Sequence, residues 1–133
     1  MKVYFADTNF FLRFLLQDDQ IQAGKVEDYL EQAKKEKIKI VFLVAVIIEM
    51  EVVLRKVYHQ PKAYITEQLL ILIQTPYLVI EDREILMNAF EFFKKYNLDL
   101  LDLFLLAKAK SDKADVLTFD KKLIALYKQQ EKK

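Results

Sequence analysis

The chain has 133 residues, 53% of them hydrophobic, with no cysteine, one histidine and a formal charge of +1. That length suits one domain able to bury a core without disulfides, and it leaves no material for a thiolate zinc site or a histidine-rich one, so any metal must be held by oxygen, which favours Mg²⁺ or Mn²⁺. The near-neutral charge excludes a basic nucleic-acid wrapper, so nucleic acid would have to be held by a local patch and a bound metal.

Residues 2–6 are apolar and aromatic and predict a buried strand. Thr8 and Asn9 supply turn and N-cap chemistry for a short helix over 10–17, which Asp18 and Asp19 break. Val26, Leu30 and Ala33 give residues 23–35 a helical spacing with a charged outer face. Residues 38–42 predict a second buried strand, and 44–58 a helix carrying Glu49. Pro61 sits at the start of the next helix, which ends before Pro76. Residues 77–80 predict a third strand, Asp82 caps a helix through Tyr96, and another runs from Asn97 or Asp99 to about Lys110. Residues 115–119 predict a fourth strand, 121–128 a last helix, and 129–133 a frayed polar tail.

Strands alternating with helices predict an α/β domain with a mainly parallel sheet. The start of the chain is too soon acidic for a signal peptide, and no uncharged stretch approaches membrane-spanning length, so a cytoplasmic protein without membrane association is expected.

Four carboxylates stand in or beside apolar runs: Asp7, Glu49, Asp102 and Asp120. An ionised carboxylate in apolar surroundings is costly unless paired. A fold that gathers all four around a cation would explain them, and points to metal-dependent chemistry on phosphate. Asp7 and Asp120 follow predicted strand ends, where ligands bind in such sheets. Each acid also has a plainer role. Asp7 can make a local turn, and Asp120 can cap the last helix. Glu49 has Ala45, Val46, Val52 and Val53 three and four residues away, so it is expected to face an apolar surface. Glu51, with Arg55 four residues on, is expected to be an exposed ion pair. Asp99 and Asp102 share a helix face, Asp99 as a cap or supporting acid and Asp102 as a ligand. The phenylalanines and leucines are read as core, and His59 as a surface residue.

The run Asp7-Thr8-Asn9 after an early strand, followed by Phe10-Phe11-Leu12-Arg13, resembles the opening of a PIN domain. Residues 48–55, 98–107 and 117–123 resemble its three later motifs, in the family's order. The last two are worded most like the VapC-type ribonuclease toxins of type II toxin–antitoxin systems. This resemblance implies one PIN-like domain over 1–133, with a central sheet of about four to five strands flanked by helices. It implies a metal-dependent ribonuclease using Mg²⁺ or Mn²⁺, with Asp7 and Asp102 as main ligands and Glu49 and Asp120 completing the cluster, Asp120 also as a metal residue. Asn9 and Thr118 match positions that orient the acids, and Arg13, Lys108, Lys121 and Lys122 are candidates for the RNA backbone. Expected partners are RNA, an antitoxin protein and a second copy in a homodimer. A PIN-type nuclease outside toxin systems, a binding module without catalysis and a plain interaction protein are the alternatives. The chain departs from the family at Glu51, usually apolar, and at Lys113-Ala114-Asp115, which replaces a glycine-containing turn.

Overall fold

The computed structural model describes residues 1–132. They form two compact units, Met1–Arg83 and Glu84–Lys133. In the first unit the order is β1 (Lys2–Phe5), α1 (Thr8–Leu16), α2 (Gln20–Lys34), β2 (Ile38–Val41), α3 (Val44–Lys56), α4 (Lys62–Ile73) and β3 (Leu78–Val79). The strands make a parallel sheet in the order β1-β2-β3, with Lys2 opposite Ile38 and Ile40 opposite Leu78. Parallel neighbours need long crossovers, and each is supplied here by two helices.

The ladder runs slightly past the strands, through Ala6 N–H to the Val41 carbonyl (3.2 Å) and Phe42 N–H to the Val79 carbonyl (2.9 Å). β1 and β2 therefore end at one edge, and α1 and α3 both start from it. The core of this unit sits on one side of the sheet. Ile38 and Ile40 are buried, while Lys39 between them is exposed. Val3, Phe5 and Val79 are 49%, 68% and 40% exposed, so β1 is not the fully buried strand its apolar run suggests. At the end of this unit, Arg83 donates to the carbonyls of Thr75 and Leu78, which ties the turn around β3.

The second unit holds most of α5 (Arg83–Lys95), then α6 (Leu100–Ser111) and α7 (Lys121–Glu131). Each shows a buried stripe at helical spacing: Leu86, Ala89, Phe90 and Phe93; then Leu100, Leu103, Leu106 and Ala107; then Leu123 and Leu126.

Three expectations are corrected. The described residues hold a three-stranded sheet, not one of four to five. Residues 114–120 have no regular structure, because nothing pairs their backbone as a strand; Leu117 and Phe119 are fully exposed. The last helix also continues to Glu131 rather than fraying from Gln129; Lys133 lies outside the described residues.

The two glutamates of α3 exchange burial, although the expected Glu51–Arg55 pair forms. Its buried stripe is Ile47, Met50, Glu51 and Leu54. Glu51 lies about 40° around the helix from Ile47, and Glu49 about 200°. So Glu51 is only 2% exposed, while Glu49 is exposed. Arg55 grips Glu51 with Nε at 2.8 Å and Nη2 at 3.2 Å, keeping its own side chain 41% exposed. Removing Arg55 strands a buried charge, whereas removing Glu51 leaves a cation that reaches water. Urea denaturation is expected to show Arg55→Ala costing about 2–4 kcal/mol, and Glu51→Ala less.

Five non-glycine residues take the left-handed conformation: Gln17, Glu36, His59, Asp82 and Lys113. The single glycine, Gly24, instead sits inside α2, where an added Cβ would meet nothing within 4 Å. Lys113 (φ 56°) occupies the turn after α6 and strains its Cβ. Gly24→Ala and Lys113→Gly are each expected to raise the unfolding free energy by about 0.5–1 kcal/mol, read by thermal melts and urea curves.

Candidate active site

In the first unit, Asp7 is the first residue past the end of the β1–β2 ladder. Its extended backbone makes it the N-cap of α1, and its Oδ1 accepts from Phe10 N–H at 3.0 Å. The cap is thus Asp7 itself, not Thr8 or Asn9. The Thr8 hydroxyl instead donates to Glu49 Oε2 at 3.0 Å. This bond crosses from the first residue of α1 to the second turn of α3, and it exists because both helices leave the same sheet edge. Asp7 and Glu49 are thereby held one residue apart through Thr8. Thr8 was missed as an orienting residue, for its partner lies 41 positions away. Asn9 is exposed beside it.

Arg13 does not offer an uncommitted cation for RNA. Its Nη1 lies 2.8 Å from both Asp18 oxygens, and Nη2 lies 3.4 Å from the Tyr58 hydroxyl. The Tyr58 hydrogen bond and the Asp18 charge hold its guanidinium protonated beyond the ordinary range. Asp18, expected only to break the helix, is its partner.

In the second unit, Asp99 takes the N-cap position of α6 with no side-chain capping bond, so its carboxylate does not play the expected cap. Asp102 is half-buried in the first turn. Its carboxyl is held above the usual range, first by desolvation and then by the negative charges of Asp99 and Asp120. Asp120 caps α7, accepting from Leu123 N–H at 3.0 Å, and its own N–H donates to Thr118 Oγ1 at 3.0 Å. Thr118 therefore orients Asp120 through the backbone. Lys121 and Lys122 follow, both exposed. Lys108 pairs with Asp112 at 3.5 Å. Nearby, the Tyr127 hydroxyl donates to Asp115 at 2.7 Å, fastening the start of the 114–120 segment to α7.

The donors in both units are carboxylate oxygens, and in the second their mutual repulsion is already felt at Asp102. That is the chemistry a hard divalent cation relieves. Among the described residues, no group of three or more histidine, aspartate or glutamate side chains that could hold a metal ion is present. No helix among them is long and apolar enough to cross a membrane.

The sequence model of the PIN domain matches residues 4–129, which takes in all four acids. The chain belongs to the PIN domain family. A search of curated proteins finds no match. PIN membership gives this chain a nuclease-type fold, and the expected α/β class with a parallel sheet agrees with it.

The raised Asp102 carboxyl has a consequence for stability. Folding favours its neutral form, so it costs nothing well below its ordinary pKa of 3.8; the cost builds as pH rises from there to the raised value and is constant above it. In EDTA at pH 7, Asp102→Asn is expected to melt higher than the parent. The gap should close near pH 3, and Mg²⁺ should raise the Tm of the parent more than that of the variant.

Proposed function

We propose that this PIN domain is a divalent-metal-dependent endoribonuclease that hydrolyses RNA phosphodiesters, acting as the toxin of a toxin–antitoxin pair. The observation that carries the reading is the two coupled sets of acids: Asp7 and Glu49 linked through Thr8, and Asp102 pressed by Asp99 and Asp120. In this reading Asp7, Asp102 and Asp120 are the residues that would hold Mg²⁺ or Mn²⁺. A bound divalent ion lowers the pKa of water and neutralises charge on phosphoryl oxygens. Glu49, fixed by Thr8, orients the attacking water and accepts its proton. The water oxygen bonds to phosphorus, the phosphorus–oxygen bond to one ribose breaks, and the leaving oxygen is protonated from solvent. Asn9 and Thr118 steady Asp7 and Asp120. Lys121 and Lys122 hold the RNA backbone, with Lys108 beside them exchanging Asp112 for phosphate.

The toxin assignment draws on the wording of the last two motifs, and it brings an antitoxin protein, a homodimer and a cytoplasmic setting with it. The exposed apolar residues Leu101, Leu105, Leu117 and Phe119 are compatible with partner surfaces. Retention of all four acids favours an active enzyme over a binding module that lost catalysis.

Purified protein is expected to cleave a mixed tRNA and mRNA pool with Mg²⁺ or Mn²⁺ and not with EDTA. Asp7→Asn and Asp102→Asn should each lose at least about 100-fold in rate while keeping the parent circular dichroism, and Thr8→Ala about tenfold. Full activity in either aspartate variant overturns the assignment.

A further inference from the structure

Beside β1 runs a file of aromatic side chains at the margin of the core, where Phe10 also meets the buried Phe11 edge to face at 5.2 Å. Tyr4 and Tyr29 meet edge to face with ring centres 5.4 Å apart, and Tyr29 meets Phe10 in the same way at 6.2 Å. Tyr29 is 38% exposed, and Tyr4 and Phe10 are half-buried. The contrast is Phe11, next in sequence to Phe10, which is fully buried and stacked on Phe42 at 3.8 Å. Cations accompany the file. Lys2 Nζ stands 5.0 Å from the centre of the Tyr4 ring, and exposed Lys25 lies one helical turn before Tyr29 on α2. Phe10, the last ring, belongs to the first turn of α1, the turn that Asp7 caps.

We propose that Tyr29, backed by Tyr4 and Phe10 and flanked by Lys2 and Lys25, is a base-stacking platform that leads unpaired RNA to Asp7. An exposed ring flanked by lysines suits single-stranded nucleic acid, since a base stacks on the ring and phosphates take the cations. A duplex keeps its base faces stacked on each other, so this surface selects loops and single strands. An apolar peptide gains nothing from the lysines. The platform deepens the ribonuclease reading and rests on it for the identity of its ligand.

The test uses the full chain with Asp7→Asn to prevent turnover and a labelled single-stranded RNA 12-mer in Mg²⁺, read by fluorescence anisotropy. Adding Tyr29→Leu is expected to weaken binding roughly tenfold, while Tyr29→Phe binds as well as tyrosine. An RNA carrying one abasic position over the platform should bind more weakly than intact RNA to the tyrosine protein, but equally to the leucine protein. A purely structural tyrosine would not produce that coupling. A helical hairpin without a loop overhang should bind weakly to all three. Undiminished binding by Tyr29→Leu, no binding of RNA by any form, or the same abasic penalty in the leucine and tyrosine proteins overturns the platform. Cleavage by the unaltered chain is scored separately. Cleavage with tyrosine-independent binding refutes the platform alone, and tyrosine-dependent binding without cleavage in any metal refutes the nuclease alone.

Discussion

The parallel pairing of β1 with β2 is the constraint that positions the acids of the first unit. Because Phe5 lies opposite Val41, the two strands end level, and the chain turns into α1 and α3 from one edge. Asp7 then occupies the first position beyond the ladder, and Thr8 can reach Glu49. A slip of one residue would turn every side chain of β1 to the opposite face and break that alignment. The hydrophobic side chains of β2 hold the register, for Ile38 and Ile40 must both stay in the core.

The plain and the functional roles of the acids do not exclude each other. Asp7 and Asp120 each accept a backbone N–H at a helix start, as an ordinary cap would. A cap holds a carboxylate in one orientation, which is also a requirement of a metal ligand. Asp102 differs. It lies in the first turn of α6, where a helix favours negative charge, yet burial and its acidic neighbours outweigh that benefit. An acid kept at a net electrostatic cost is easier to understand as part of a site than as part of the scaffold.

Charge elsewhere in the chain is satisfied locally. Arg13 is forked onto Asp18, Arg55 onto Glu51, and Arg83 onto two carbonyls. All three arginines thus serve the fold.

Local patterning was enough to read the α/β class, the family and the element order apart from the fourth strand, since hydrophobic periodicity and the motifs around four acids are carried along the chain itself. It also placed Asp7 just past a strand end and Asp102 and Asp120 at the starts of helices, because strand ends and caps are written in neighbouring residues. Which glutamate of α3 is buried came from packing. Position 49 has valines at three and four residues, but the core takes the stripe through Ile47, Glu51 and Leu54, and no local count shows which stripe meets the core. Residues 115–119 carry a strand pattern without strand pairing, because a strand exists only where another backbone accepts it. The Thr8–Glu49 bond joins residues 41 apart, and the Tyr4–Tyr29–Phe10 file joins a strand to two helices. Contacts of that range are made by the fold, so the sequence could name the residues but not their partners.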